Sequence, residues 1–342
     1  MLLIATDEAG YGPKLGPLVI GATTWHLPTG CSTELDDLQR LFSPLAESHQ
    51  VAGVKVVIND SKAVFKPKSL SSKSSSSKSG TDSLQSLHCT VSAANFWHCC
   101  QHRRFVDWIA AIAPHDRAAI DQTPWLSDLD QGEFDVGDEL ETVVAAWRRE
   151  GIELSDARAR ILPAAKFNHA CDGGLNKADL LSETTLGMVR EILTAPSNDS
   201  DQSSASPRDA KRNAIVFCDR HGGRRYYAGV LQHVFDGASV QVVSESKHLS
   251  VYRVSSESID ATIHFTVKGD SFAPVALSSI YAKYIRERMM QSLNRYFAKF
   301  HSDPTALRPT AGYPTDADRF LNDIGSIIDQ KQIDHRNLVR QR

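Results

Sequence analysis

The chain predicts a mixed α/β fold, and three observations predict it. Short apolar runs of β character alternate with amphipathic stretches of helical period, with little sign of internal repetition. Hydrophobic residues make up 41% of the 342 positions and charged residues 23%, enough for a sizeable core and too apolar for a disordered chain. Three of the β-like runs end in carboxylates: LLIAT before Asp7-Glu8, AIVFC before Asp219, and TIHFTVKG before Asp270. Ligands of open α/β sheets collect at strand ends, so these acids can converge.

The elements follow in order. Leu2–Thr6 reads as a buried strand and Leu18–His26 as a second, joined by a Gly/Pro loop. Ser32–Phe42 reads as a helix capped by Ser32 or Thr33. Val54–Ile58 is a strand that runs into Asn59-Asp60-Ser61-Lys62. Ser69–Gly80 is Ser/Lys low complexity and predicts a mobile loop. From His88 to about Ala165 aromatic, polar and acidic segments mix, with helices expected at Phe105–Ile112 and Glu139–Arg149. Asn176–Leu193 is amphipathic, with Leu180, Leu181, Thr184, Met188 and Ile192 at helical spacing. Ser197–Arg212 predicts a second exposed loop, Ala214–Cys218 a strand and Gly222–Phe235 a helix. Val240–Val243, Ser250–Val254 and Ala261–Val267 read as strands, Pro274–Phe300 as a long helix and Ala317–Ile324 as a short one.

Charge and cysteine usage exclude several classes. The net charge of −3 gives no globally basic coat, so a nucleic-acid site must be a local patch. Six cysteines in 342 residues do not make a disulfide framework. No apolar run reaches membrane-spanning length, and the N-terminal run, broken by Asp7, lacks the basic flank of a signal peptide. A soluble cytoplasmic protein is the expectation. His88-Cys89 and His98-Cys99-Cys100 with His102 invite a zinc reading, but the spacing is not that of a zinc knuckle.

Adjacent carboxylates are costly to bring together unless a cation offsets their repulsion. Hard oxygen donors suit Mg²⁺ or Mn²⁺. Two such ions, about 3.5–4 Å apart, can activate water and stabilise a leaving oxygen in phosphodiester hydrolysis. After Asp7-Glu8, the Gly10-Tyr11-Gly12 loop lets a backbone approach a large ligand. Gly10, Gly12 and Gly16 do not form the dinucleotide-binding spacing, and there is no Walker sequence.

These residues resemble the type 2 ribonuclease H family, which cuts the RNA strand of RNA–DNA duplexes. DEAGYGPKLGPLVIGA (Asp7–Ala22) resembles the family's opening motif, and Asp60-Ser61-Lys62 its Asp-Ser-Lys element. NKADLLSETTLGMV is similar to its following helix, and Cys218-Asp219 to its third strand-end carboxylate. VKGDSFAPVALSSIYAKYIRERMM, Gly312-Tyr313-Pro314-Thr315 and Asp334-His335-Arg336 complete the series in the right order. The resemblance covers roughly residues 1–62 and 166–342. It implies a ribonuclease H-like mixed sheet flanked by helices, with a C-terminal helical portion. Residues 63–165 are then a large insertion.

The resemblance implies that Asp7, Glu8, Asp219 and Asp270 hold divalent metal and catalyse. Glu287 is the alternative fourth carboxylate; Asp270 needs no substitution and is favoured. It further implies that Gly10, Tyr11 and Gly12 read the ribose 2′-OH, that Ser61 and Lys62 contact phosphate, and that Tyr313 stacks on a nucleotide. Tyr11 departs from the pattern, because the family has a basic residue there. Arg220, Arg224 and Arg225 are a further phosphate-binding cluster or simply a charged helix start. The partner implied is an RNA–DNA duplex. A non-catalytic hybrid-binding protein and a nuclease for another nucleic-acid structure are the rival readings.

Overall fold

The computed structural model describes residues 1–59, 79–126, 129, 132–135, 137–196 and 211–341. Its centre is a seven-stranded sheet. The strands are β1 (Leu2–Ala9), β2 (Leu18–His26), β5 (Glu153–Leu162), β6 (Arg212–Asp219), β7 (Ser239–Glu245), β8 (Leu249–Ser255) and β9 (Ile259–Thr266), in the order β5-β2-β1-β6-β9-β8-β7. β1 runs parallel to β6 and β6 to β9; the remaining neighbours are antiparallel. Val54–Val56 (β4) pairs only with His49–Val51 (β3), in a separate two-stranded ribbon, so the strand expected there does not join the main sheet.

Helices cover both faces, which is why β1, β2 and β6 are buried in continuous runs and not at alternate residues. Leu3, Ala5, Ile215 and Phe217 pack into the core on one face; Ile4, Ala214, Val216 and Cys218 pack into the core on the other. The long helix Ala273–Phe300, here α9, lies against β1 and β2 on the first face. It comes close enough for Ser278 Oγ to donate to the Ala5 carbonyl at 2.9 Å. On the opposite face lie α7 (Lys177–Thr194) and α8 (Ala228–Val234), whose Leu181, Met188 and Leu231 are buried there. Asn176 caps α7, its side-chain oxygen accepting from the amides of Ala178 and Asp179. This is the mixed sheet flanked by helices that the resemblance implies.

Residues 79–126 and 137–148 form a helical layer over α9. Beyond α1 (Leu35–Leu41), it contains α2 (Ser79–Trp97), α3 (Phe105–Ile112), α4 (Arg117–Asp121) and α5 (Asp138–Arg148). Trp97, Trp108 and Trp147 are buried in the same core as Leu3 and Ala5. Trp97 meets Trp25 of β2 edge-on at 5.4 Å, and Trp108 stacks near Tyr281 of α9 at 5.8 Å. Each such ring contributes about 1.5–3 kcal/mol from burial alone. Buried Asp116 fastens the layer to β5 and to α6 (Ala164–Asp172). It accepts from the Ile161 amide at 2.7 Å and Arg160 Nε at 3.1 Å, and pairs with Lys166.

Several expectations shift. Glu153–Leu162, within the range expected for the insertion and not expected as a strand, is an edge strand of the central sheet. Ser79 and Gly80 open α2, while 69–78 of the predicted mobile loop lies outside the described residues, as does 197–210 of the second. The helix expected from Gly222 begins only at Ala228, because Gly222 and Gly223 take positive φ values of 54° and 85°. The C-terminal portion is helical: α10 (Pro314–Asp323), α11 (Gly325–Lys331) and α12 (His335–Leu338). No described helix is long and apolar enough to cross a membrane.

Candidate active site

Strand parity and register assemble the acids. Asp7 and Asp219 continue the odd-numbered rows Leu3-Ala5 and Ile215-Phe217 onto the α9 face. In the parallel pairing Thr6 lies opposite Cys218, so the next residues along each strand are Asp7 and Asp219. Glu8 belongs to the other row; it is still paired with Ile20 of β2 but lies past the last pair of β1 with β6, Thr6 with Cys218. One ligand oxygen from each of Asp7, Glu8 and Asp219 lies within 4.8 Å of the others. Among the described residues this is the group with the chemistry of a metal centre.

Asp7 is 8% exposed. Burial, then the charge of Asp219 and more weakly that of Asp270, push its carboxyl up to about 8. A hydrogen bond from Ser279 of α9 and one from the Glu8 amide, at 2.7 Å, oppose the shift without cancelling it. Asp219 Oδ1 accepts from the Gly269 amide at 2.7 Å. A cluster that cannot all ionise by itself, made of hard oxygens, is what a divalent cation relieves. The residues therefore fit Mg²⁺ or Mn²⁺.

Asp270 follows Gly269 in the short turn Gly269–Ser271, beside Asp219. Its charge reaches Asp7, but it stands outside the ring of three. Glu287 is two further turns along α9 from Ser279, about 12 Å by helical rise. It lies 3.4 Å from Arg286 Nη1, and burial raises its carboxyl while Arg286 and Lys283 oppose the shift.

The glycine loop borders the acids. Gly10 has φ 87°, and a Cβ there would meet Arg286 Nε and the Pro17 carbonyl at 2.6 Å. Gly12 faces Tyr313, a residue 56% exposed at the start of α10. The Gly312 carbonyl accepts from the amides of Lys14 and Leu15 at 2.8 and 3.2 Å, locking the two segments together. Tyr11 turns away from this opening. It is half-buried, packed toward Gly222, with Lys177 Nζ 4.3 Å from its ring centroid. Ser61 and Lys62 lie outside the described residues.

The basic cluster divides. Arg220 donates to the carbonyls of Lys247 and Ser246, fastening the β7–β8 hairpin. Arg224 pairs with Asp179 of α7. His88 contacts Tyr284 and Asp135, and Cys89 Sγ donates to Asp135.

Four further residues contribute that no sequence motif marks. Ser279 supports Asp7. Buried His221 lies 3.1 Å from Ser182 Oγ, and its amide donates to the Tyr227 hydroxyl, pinning the turn after Asp219. Lys177 sits over Tyr11. Arg340, 3% exposed, reaches under the glycine loop and donates to the carbonyls of Gly10, at 2.6 Å, and Pro13. The C-terminal arginine singled out by the sequence, Arg336, instead pairs with Asp172 at the surface. No local signal marks Arg340, because the carbonyls it meets, Gly10 and Pro13, lie at the other end of the chain.

No family model matches the chain, and no curated protein does. Among solved structures it is similar to the RNase HII of Archaeoglobus fulgidus in its complex with PCNA. The identity is 14% and the TM-score 0.41, over 100% of this chain and 95% of that one. It is also similar to ribonuclease H2 from Pyrococcus horikoshii, at 13% identity and TM-score 0.40 over 99% and 92% of the two chains. A Bst-RNase HIII in complex with Mn²⁺ aligns at 12% identity and TM-score 0.37, over 99% of this chain and 66% of that one. Likenesses this distant assign no activity to this chain.

Proposed function

We propose that the protein is a metal-dependent endoribonuclease that hydrolyses the RNA strand, or embedded ribonucleotides, of RNA–DNA duplexes. The observation that carries this reading is the meeting of Asp7, Glu8 and Asp219 within 4.8 Å at adjacent strand ends. With Asp270 beside them they would hold Mg²⁺ or Mn²⁺. Bound there, such cations supply a more acidic water and neutralise charge on the scissile phosphate and leaving oxygen.

The chain's own residues do the rest. Ser279 and the Glu8 amide orient the Asp7 carboxylate, and the Gly269 amide orients that of Asp219. The Gly10–Gly12 loop brings backbone, without side-chain bulk, to the sugar edge, where amide and carbonyl groups can distinguish a 2′-OH from hydrogen. Tyr313, exposed beside Gly12, offers a stacking face that would contribute on the order of 1–3 kcal/mol per base. Ser61 and Lys62 are proposed to contact phosphate. Neutral His221, whose ring burial holds down at about 3, fixes the turn that carries Asp219 and does not act as a base.

The test is cleavage of an end-labelled duplex carrying one ribonucleotide, with Mg²⁺, Mn²⁺ or EDTA, against the all-DNA duplex. Cleavage at the ribonucleotide, dependent on metal, is expected. Equal cutting of the all-DNA duplex or of a DNA junction would transfer the activity to another substrate. Tight hybrid binding without turnover would leave a binding protein.

A further inference from the structure

A polyanion approaches the metal-site carboxylates against their charge, so cations have to stand nearby. The turn 220–227, which leaves Asp219, and the β7–β8 hairpin, 239–255, carry Arg220, Arg224, Arg225, Lys247 and Arg253, with Glu245 as their one acid. Asp179 pairs with Arg224 and Asp260 with Arg253, which leaves Arg220, Arg225 and Lys247 against Glu245. Arg225 and Lys247 are exposed, and so is Tyr226, to 67%. None of these three side chains has a hydrogen bond, ion pair or ring contact among the described residues.

Their backbone, by contrast, is held from several sides. The Ser250 hydroxyl donates to the Arg225 carbonyl at 2.8 Å, and the Tyr227 amide donates to the Tyr252 hydroxyl at 2.9 Å. The Arg224 amide donates to the His221 carbonyl at 2.9 Å. Arg220 donates to the carbonyls of Lys247 and Ser246, which ties the hairpin tip to the same turn. Tyr227 is fully buried and stacks on Phe265, with ring centroids 3.5 Å apart. One tyrosine of the pair thus fixes the turn in the core, while its neighbour faces water, where its ring adds no burial to the fold. A fixed backbone with outward side chains is a binding surface whose ordering cost is already largely met. The surface is continuous with the acids. The Val267 amide donates to the His248 carbonyl at 3.0 Å, and two residues on the Gly269 amide donates to Asp219. Cations beside an outward aromatic ring suit a sugar–phosphate backbone: the charges take phosphates and the ring packs on a sugar or an unstacked base.

We propose that Arg225, Tyr226 and Lys247 form a backbone-binding subsite for the substrate on the β7–β8 side of Asp219. The inference rests on the nuclease reading above and adds to it the direction in which the duplex extends past the metal centre.

The test is equilibrium binding of a labelled duplex carrying one ribonucleotide, in Ca²⁺ to suppress cleavage, across a salt series. Arg225→Met and Lys247→Met should each lower the salt-dependence slope by about one contact, and the double variant by about two. Tyr226→Ala should weaken binding about five-fold or more with the slope unchanged. Tyr226→Phe, which keeps the ring, should bind as the wild type does. The melting curves of all four should overlay that of the wild type. Shortening the duplex on one side of the ribonucleotide, and not on the other, should abolish the difference between the wild type and the double variant. A wild-type slope in the folded double variant, with wild-type protein binding and cutting the hybrid, would overturn the subsite alone. A difference that survives shortening on either side would overturn its placement beside the metal centre. No duplex binding by the wild type would overturn the subsite together with the nuclease reading.

Discussion

Arg340 Nη2 lies 2.6 Å from the carbonyl oxygen of Gly10, across 330 residues of sequence. The last described residues of the chain therefore shape the loop that follows the first carboxylates. Asn168 holds the same segment from the other side, donating to the carbonyls of Arg336 and Val339 at 2.7 and 2.8 Å. Burial and the neighbouring Arg286 lower the Arg340 guanidinium to about 9, still charged at neutral pH. Arg340→Met keeps much of the volume but leaves two carbonyls without their donor, a loss of about 1–3 kcal/mol. The thermal midpoint should fall accordingly. KM for an RNA-containing duplex should rise more than kcat falls, because the loop binds and the carboxylates react. A variant with unchanged KM would show that the loop keeps its shape without the arginine.

Asp219→Asn separates chemistry from folding. The substitution removes a charge that, after burial, is the largest cause of the raised Asp7 carboxyl. Turnover should be abolished, while the metal-free protein should melt at or above the wild-type midpoint, since one repulsion is gone. A midpoint well below wild type would mean that the Gly269 contact to Asp219 matters more to the fold than the repulsion does. Near-normal cleavage would remove Asp219 from the mechanism.

The helical layer is expected to melt with the sheet. Trp108 is fully buried and touches Phe134 and Tyr284 as well as Tyr281. Trp108→Ala should cost about 3–5 kcal/mol and shift one cooperative transition, because the layer and β1 share a core. Two resolved transitions would show instead that the insertion folds as a unit of its own.

What the sequence made legible follows from how local each signal is. Apolar runs ending in acids place Asp7 and Asp219 at strand ends, and period two along β1 and β6 puts them in one row. Their adjacency needs only the parallel pairing of β1 with β6. The edge strand β5 was hidden because ELSDARARIL alternates polar and small residues, as a strand with one wet face does. Helix α2 was hidden because SGTDSLQSLHCTVSAANFW is rich in small and polar residues, with little apolar periodicity to mark a face. Arg340 and Lys177 could not be found locally at all. Each acquires its role from a partner far away in sequence, Gly10 and Tyr11 respectively.

Metal binding should be linked to pH through Asp7. Its carboxyl ionises at 3.8 in an ordinary setting and near 8 in the metal-free fold. Between these values the fold retains a proton that the unfolded chain has released. The stabilisation from this group is therefore complete below about 3.8 and is lost as pH rises toward 8. A divalent cation needs the ionised form, so below pH 8 its binding must expel that proton, and affinity should climb with pH until it levels off. At a fixed Mn²⁺ concentration, the rise in melting temperature over an EDTA control should thus be larger at pH 8 than at pH 6. Ser279→Ala removes a hydrogen bond that favours the carboxylate, so it should push the onset to higher pH. Proton release measured by calorimetry in two buffers of different ionisation enthalpy provides an independent reading. A metal-induced shift that is flat from pH 6 to 9, with no proton released, would mean that Asp7 is already ionised in the metal-free protein and that the buried cluster is offset by some other charge.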